Sequence, residues 1–270
     1  MEVRYPSFDV SGLGAHWSPN REWAHQINAT GTIPSAIEPF LIKVIRRAKA
    51  ELDTVADADL IADVDIFNKQ EAQHYKLHGQ FNEAIANDGF PGLLDHDNRL
   101  KAEYAEMLAT RDLEWLLGYC EAFESIVAVG VSQWVDLGWG DYLDGADPRM
   151  VALWRWHLAE EYEHRTVVHR LYHRVVSGTP EEQYAKRMET LNFFMEHLAK
   201  HVEATLGYLL EVERAGMTDE ERTASEARST AVNELFATFH APVADVMQPT
   251  WDPESVPRPR LLDEAFALVS

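Results

Sequence analysis

The chain has 270 residues, 46% of them hydrophobic, enough for a sizeable core and against global disorder. Its 24 basic and 45 acidic side chains leave a formal net charge of −21, so neither a nucleic-acid backbone nor an anionic membrane surface is an expected partner. A lone cysteine, Cys120, excludes an internal disulfide and a Cys-based zinc site. The opening stretch MEVRYPSFDVSGLG has no apolar signal-peptide core, and no run of 18 apolar residues occurs, so a soluble, cytoplasmic protein is expected.

Residues 1–33 contain Pro, Gly and Asn without sustained periodicity and read as an irregular arm. Pro34 and Ser35 start a first helix that continues through AIEPFLIKVIRRAKAEL, with Pro39 in its early turns. Asp57 or Asp59 caps a second helix running to about Asn87. The stretch DGFPGLLDHDN, 88–98, reads as a loop from its Gly and Pro content. A third helix is predicted from Leu100 to Leu137 and a fourth from Arg149 to Val176, separated by GWGDYLDGADP. After Ser177-Gly178-Thr179-Pro180, a fifth runs from Glu181 to Ala215 and a sixth from Thr218 to Phe239. The remaining 240–270 form a Pro-rich tail expected to wrap the surface. Strand signals are nearly absent. Long helices joined by short loops imply an all-α, ferritin-like up-and-down four-helix bundle with additional C-terminal helices, in one domain over 1–270.

The second helix carries Glu71-x-x-His74 followed by His78, and the fourth carries His157-x-x-x-Glu161-x-x-His164. At about 100° per residue each set falls within roughly 60° on one helix face. Each face thus presents one carboxylate and two imidazoles in one direction. A carboxylate can bridge two cations while an imidazole binds one, so two such helices plus one glutamate from each of the other two make a two-metal shell. Antiparallel neighbours meet symmetrically about their connecting loop. That favours Glu38 over Glu51 on the first helix, and on the third it disfavours Glu114 but leaves Glu121 and Glu124 both open. Charged groups avoid a core stripe unless paired or metal-bound, which weighs against a purely surface salt-bridge reading.

Other candidates have simpler readings. His78 and His157 are either ligands or donors to the ligand carboxylates. Glu160, on the edge of the stripe, reads as an outer or surface partner, and Cys120 as a small core residue close to the site. His169 and His173 continue the fourth helix, and His173 can complement its dipole. His197 and His201 form an i, i+4 pair without carboxylates at matching heights. Trp134, Trp139, Trp154 and Trp156 cluster around the turn between the third and fourth helices, as a substrate entrance or as packing.

QEAQHYKLHGQFN (70–82) and WRWHLAEEYEHRTVV (154–168) resemble the signatures of a ferritin-like family called predicted metal-dependent hydrolases, and IPSAIEPF (33–40) and EAFESIVA (121–128) resemble its first- and third-helix motifs. The resemblance spans roughly 30–240. It implies that Glu124 is the third-helix ligand, although Ser125 stands where an aromatic or His-rich continuation is expected. The spacing His157, Glu161, His164 is also similar to that of the arylamine N-oxygenases, where an extra histidine joins a di-iron shell.

The expected metal set is therefore Glu38, Glu71, His74, Glu124, His157, Glu161 and His164, with His78 as a further candidate. The expected cofactor is two metal ions, iron first, with manganese or zinc as alternatives. The expected function is a di-iron oxidoreductase that activates O2 to oxidise or hydroxylate an apolar small molecule. A two-metal-dependent hydrolase and a metal-binding or storage protein without substrate are the alternatives. Expected partners are that apolar substrate, an electron-donor protein and a second copy of the chain in a homodimer.

Overall fold

A computed structural model describes residues 1–136, 140–239 and 243–269, and every regular element among them is a helix. The chain runs α1 (Arg21–Thr30), α2 (Thr32–Lys49), α3 (Ala58–Asn87), α4 (Gly92–Thr110), α5 (Leu113–Asp136), α6 (Pro148–His164), α7 (Val167–Val175), α8 (Pro180–Arg214), α9 (Asp219–Phe239), α10 (Val243–Val246) and α11 (Leu262–Ala267). The fold is all-α.

Register pairs give the topology. Asn82 on α3 donates to the Gly31 carbonyl and to Ser35 at the start of α2, while Lys49 at the other end of α2 pairs with Asp65, so α2 and α3 are antiparallel. Glu71 faces His164 while His78 faces His157, which makes α3 and α6 antiparallel. Glu124 faces His164 and Glu121 faces His169, so α5 runs against α6 and α7 as well. It follows that α3 and α5 are parallel, and parallel neighbours need the chain to cross the length of the bundle between them. α4 is that crossover and lies against α2 and α8. The pairing of α2, α3, α5 and α6 is therefore that of a helical bundle with one long crossover.

Several predicted boundaries move. The arm is not irregular throughout: Asn20 accepts from the Trp23 N–H and starts α1. The predicted 88–98 loop is real only to Pro91; α4 begins at Gly92, whose backbone lies so close to the Tyr208 ring that a Cβ would come within 2.5 Å of it. The predicted third helix is two helices, because Asp112 caps the Trp115 N–H and restarts the chain after Thr110. Its predicted last residue, Leu137, lies outside the described residues. The fourth breaks at Arg165 and Thr166, where the Arg165 side chain donates to the carbonyls of Tyr162 and Pro253. Pro39 lies in the early turns of α2, as expected, but far enough in to remove the N–H that would meet the Ser35 carbonyl. The fifth helix keeps its start through a capping box between Thr179 and Glu182. The Pro-rich tail contains α10, a short 3-10 turn at Pro253–Ser255 and α11, and it anchors through buried Trp251 and Leu262; His240 to Pro242 lie outside the described residues.

The core is continuous along the bundle. Trp23, Trp156, Phe40, Phe67 and Phe81 are fully enclosed, each contributing about 2 kcal/mol by removal from water. α5 is long and apolar enough to cross a membrane by length and composition, but 76% of its most apolar stretch is buried inside the bundle, as suits its central position.

Candidate metal centre

Seven side chains from four helices converge in that core. Glu38 comes from α2, Glu71 and His74 from α3, Glu124 from α5, and His157, Glu161 and His164 from α6; none is more than 3% exposed. The 3.6-residue period places Glu71 beside His74 and Glu161 beside His164, one turn apart and facing one another across the bundle. His164 Nε2 lies 3.2 Å from Glu71 Oε1 and its Nδ1 3.3 Å from Glu124 Oε2. His157 Nε2 lies 2.8 Å from Glu161 Oε1 and 3.3 Å from Glu38 Oε1. His74 Nδ1 lies 3.7 Å from Glu71 and 3.8 Å from Glu161. Two overlapping four-residue groups result: Glu38, His74, His157, Glu161 and Glu71, His74, Glu161, His164, each with ligand atoms within 4.8 Å of one another.

The electrostatics reflect four carboxylates crowded in a dry interior. Burial, and then the charges of Glu71, Glu161 and Glu124, push Glu38 well above the usual carboxylate range. Burial and Glu161 raise Glu71, and they lift Glu124 to about 8. Glu161 goes the other way: burial opposes its charge, but His164, His157 and His74 outweigh it and hold it at about 2. Burial likewise works against charging His74 and His164. The carboxylates of Glu160, which accepts from its ring, and of Glu71 nevertheless raise His74 to about 9, and Glu161 and Glu124 raise His164 to about 10. His157 is pressed down to about 4 by burial and by His74. Without cations the cluster thus holds itself together by keeping protons on some carboxyls and on two imidazoles.

Outside the cluster, two contacts orient the rings. His74 Nε2 lies 3.0 Å from Glu160 Oε2; as donor there, the neutral ring would leave Nδ1, which faces Glu71 and Glu161, free for a cation. Glu160 is fully buried and is gripped by Arg4 at 3.0 Å; Arg4 also pairs with Glu163 and sits over the Phe266 ring of α11. Arg4 lies in the arm and gave no sequence signal. His78 lies at the edge of the cluster. It joins neither group, because its Nε2 meets His157 Nδ1 at 2.7 Å, behind the ring that faces Glu38 and Glu161. Trp154 packs against His78 and His157, and Trp156 against His74, so these two tryptophans wall the imidazoles; Trp134 is next to Trp154, and Trp139 lies outside the described residues.

Glu121 is kept apart from the cluster. Its Oε1 accepts from Ser125 Oγ and His169 Nδ1, both at 2.9 Å, with Arg187 at 3.7 Å. Glu124 belongs to neither four-residue group, but its Oε2 faces His164 Nδ1 at 3.3 Å, which makes it the third-helix residue beside the cluster. Cys120 is fully buried in the core, its thiol pushed up by burial and by Glu124. His173 meets Gln183; His197 bridges Tyr119 and Glu103; His201 meets Thr32.

The fit to metal rests on atoms left over. Among the described residues, both oxygens of Glu38, Glu71 and Glu124, Oε2 of Glu161, Nδ1 of His74 and both nitrogens of His164 are buried without a hydrogen-bond partner. Orphaned donors and acceptors at this density are not a folding solution, since each costs about 1–3 kcal/mol. All belong to ligand-type groups turned toward one centre. These buried groups can hold metal ions.

A family model described as a predicted metal-dependent hydrolase matches residues 2–256. No curated protein and no solved structure matches the chain.

Proposed function

The chain belongs to the predicted metal-dependent hydrolase family, and on that premise we propose that the cluster binds two divalent cations with which the protein hydrolyses a small substrate. The observation that carries the reading is the set of orphaned carboxylate and imidazole atoms at the bundle centre. Glu38 and His157 would hold one cation, and Glu71, Glu124 and His164 the other. Glu161 and His74 belong to both four-residue groups, and Glu161, as the carboxylate of the pair, would be shared by the two cations. Bound there, two cations would supply Lewis acidity and a water made nucleophilic at neutral pH.

The chain's own residues do the rest. Glu160 takes the His74 Nε2 proton into a hydrogen bond and fixes the ring's orientation. His78 does the same for His157 through Nδ1. Phe67, Trp154 and Trp156 close the imidazole edges against water. The test is metal content by mass spectrometry together with turnover of model esters, phosphoesters and amides after loading with zinc or manganese. Two cations per chain and a hydrolysis that disappears in Glu161→Ala are expected. A chain purified without metal that also refuses zinc, manganese and iron would overturn the proposal.

A second reading, an oxidoreductase that uses dioxygen on an apolar small molecule, is favoured by the donor set. Glutamates on four helices with two Glu-x-x-His pairs are the set that di-iron and di-manganese carboxylate bundles use. It would require iron and an electron-donor protein. Oxygen uptake by the iron-loaded, reduced protein supports it. Hydrolysis by a zinc-loaded protein whose reduced iron form ignores oxygen excludes it.

A further inference from the structure

Away from the bundle centre, three side chains from three distant segments bring metal-ligand atoms together. His16 lies in the arm before α1, His25 inside α1, and Glu213 near the C-terminal end of α8. His16 Nε2 stands 2.6 Å and His25 Nε2 3.1 Å from the same oxygen, Glu213 Oε2, and the three ligand atoms all lie within 4.8 Å of one another. His25 is fully buried and the Glu213 side chain is 4% exposed, so the two inner groups are preset by packing, while His16 at 38% closes the site from the solvent side. The Phe90 ring packs edge-on against His16 and tilted against His25, on the apolar side of the trio. Arg21 holds the other carboxylate oxygen, Oε1, at 2.6 Å and leaves Oε2 to the histidines.

We propose that His16, His25 and Glu213 form a second metal site, for a single divalent cation of the zinc type, independent of the bundle cluster. Two imidazoles and one carboxylate are a donor set that zinc takes, with the fourth position left to water. Ligand atoms around a tetrahedral zinc stand about 3.3 Å apart, given bonds of about 2.0–2.2 Å. The trio therefore has to open by less than about 1 Å, and the half-exposed His16 ring has the freedom to do it. The site is reachable from solvent on the His16 side, where that ring is 38% exposed, unlike the bundle cluster, and Glu213 also borders a cavity of about 480 Å³ shared with Arg21, Met217 and Arg228. A bound ion would tie the arm to α1 and α8, locking the segment that also carries Arg4 towards the bundle site. The cost is the neighbouring Arg21 charge, lessened because its side chain is 53% exposed and screened by water.

The test uses the full chain and cobalt or zinc at buffered free concentration. Metal per chain and the cobalt visible spectrum are recorded for the wild type, His16→Ala and Glu213→Gln, each also in a Glu161→Ala background that empties the bundle cluster. One equivalent of cobalt is expected to disappear with His16→Ala and with Glu213→Gln in both backgrounds, together with a tetrahedral cobalt signal that Glu161→Ala leaves in place. His16→Ala touches a half-exposed ring and keeps the comparison valid if Glu213→Gln folds poorly. Equal metal content in wild type and His16→Ala overturns the proposal. So does a fall in melting temperature without any change in metal content, which would make the trio a hydrogen-bonded clamp only.

Discussion

Glu121 and Glu124 lie one turn apart on α5, both within the buried core, and meet opposite fates. Glu121 has Ser125 and His169 as hydrogen-bond donors and the Arg187 guanidinium nearby, and Ser125 in turn accepts from the Trp251 indole of the C-terminal tail. Glu124 is surrounded by carboxylates, a shared imidazole and the Cys120 thiol, and both its oxygens lack a hydrogen-bond partner among the described residues. In one region protein donors and a guanidinium meet one carboxylate oxygen, leaving Glu121 Oε2 over; in the other the carboxylate oxygens are left over on both sides, and among the described residues no cationic side chain other than imidazole stands near them. Burial does not separate them. What separates them is the supply of positive charge and donors, and only the second region asks for cations.

The largest test of that difference strips the cations. Glu161→Ala removes the carboxylate that, with His74, is common to both four-residue sets and is expected to lose both cations, read as metal per chain. With free metal at about a thousand times Kd, the loaded form gains roughly 4 kcal/mol, so chelation or Glu161→Ala should lower the melting temperature by about 10 °C. Equal melting of loaded and chelated protein would erase the contrast with Glu121. The same comparison predicts a pH effect. Without cations His74 titrates at about 9, His164 at about 10 and Glu124 at about 8, so all three carry protons at neutral pH. Their pKa values are raised, so the protonated forms persist as pH climbs to these values, whereas a cation needs the deprotonated groups. Metal affinity should therefore rise with pH through this range and fall as the solution is acidified. Calorimetry in two buffers of different ionisation enthalpy would show proton release on binding; none would contradict the charge balance described.

The Glu121 network should respond in the opposite way. Arg187→Ala leaves a buried carboxylate short of its guanidinium, at about 3 kcal/mol of stability, while metal per chain stays unchanged. Chemical denaturation with parallel metal analysis checks both halves, and loss of metal in Arg187→Ala would merge the two regions. Glu160 sits between these extremes, since it touches the cluster only through His74. Glu160→Gln and Arg4→Ala should weaken metal binding by about 10- to 100-fold without abolishing it, as removal of an outer carboxylate on a ligand histidine does. Competition against a chelator of known affinity measures it, and unchanged affinity in both variants would leave Glu160 a packing partner.

Much of the bundle site is legible in the sequence because helical periodicity is local. The Glu-x-x-His spacing alone puts Glu71 with His74 and Glu161 with His164, and symmetry about a turn finds Glu38. Symmetry could not choose between Glu121 and Glu124, because their choice depends on Arg187 and His169, which arrive from α8 and α7. The breaks at Arg111 and Arg165 hide for a related reason. Apolar periodicity continues across both, and what ends the helices is the Asp112 cap in one case and a tail carbonyl in the other. Arg4, and the meeting of His16 and His25 with Glu213, are tertiary events between segments far apart in sequence, and no local pattern announces them. His78 shares the face of Glu71, so angle alone admitted it to the shell; its height along α3 carries it past the cluster to the back of His157.

The smallest expected effect lies at Ser125, where the family resemblance led one to expect a different residue. Its hydroxyl donates to Glu121 Oε1 and accepts from Trp251 Nε1, both at 2.9 Å, so one oxygen joins the carboxylate of α5 to the tail. Ser125→Ala removes both bonds and leaves the indole N–H, on a tryptophan only 9% exposed, with no partner in this arrangement. An unmade buried donor costs about 1–3 kcal/mol, and the lost bond to a charged oxygen adds to it, so about 2 kcal/mol is expected. Trp251→Phe deletes the donor along with the bond and should cost less through hydrogen bonding, though it also gives up packing area. The pair is therefore best read as a double-mutant cycle: once Trp251 is Phe, Ser125→Ala should cost about 1 kcal/mol less than in the wild type. Metal content should stay constant in all four proteins, because neither residue belongs to the cluster. Additive effects would mean that Trp251 is held by packing alone. A loss of metal in Ser125→Ala would mean that Glu121, freed of a donor, disturbs Glu124 one turn away, and the two glutamates would then belong to one site rather than two.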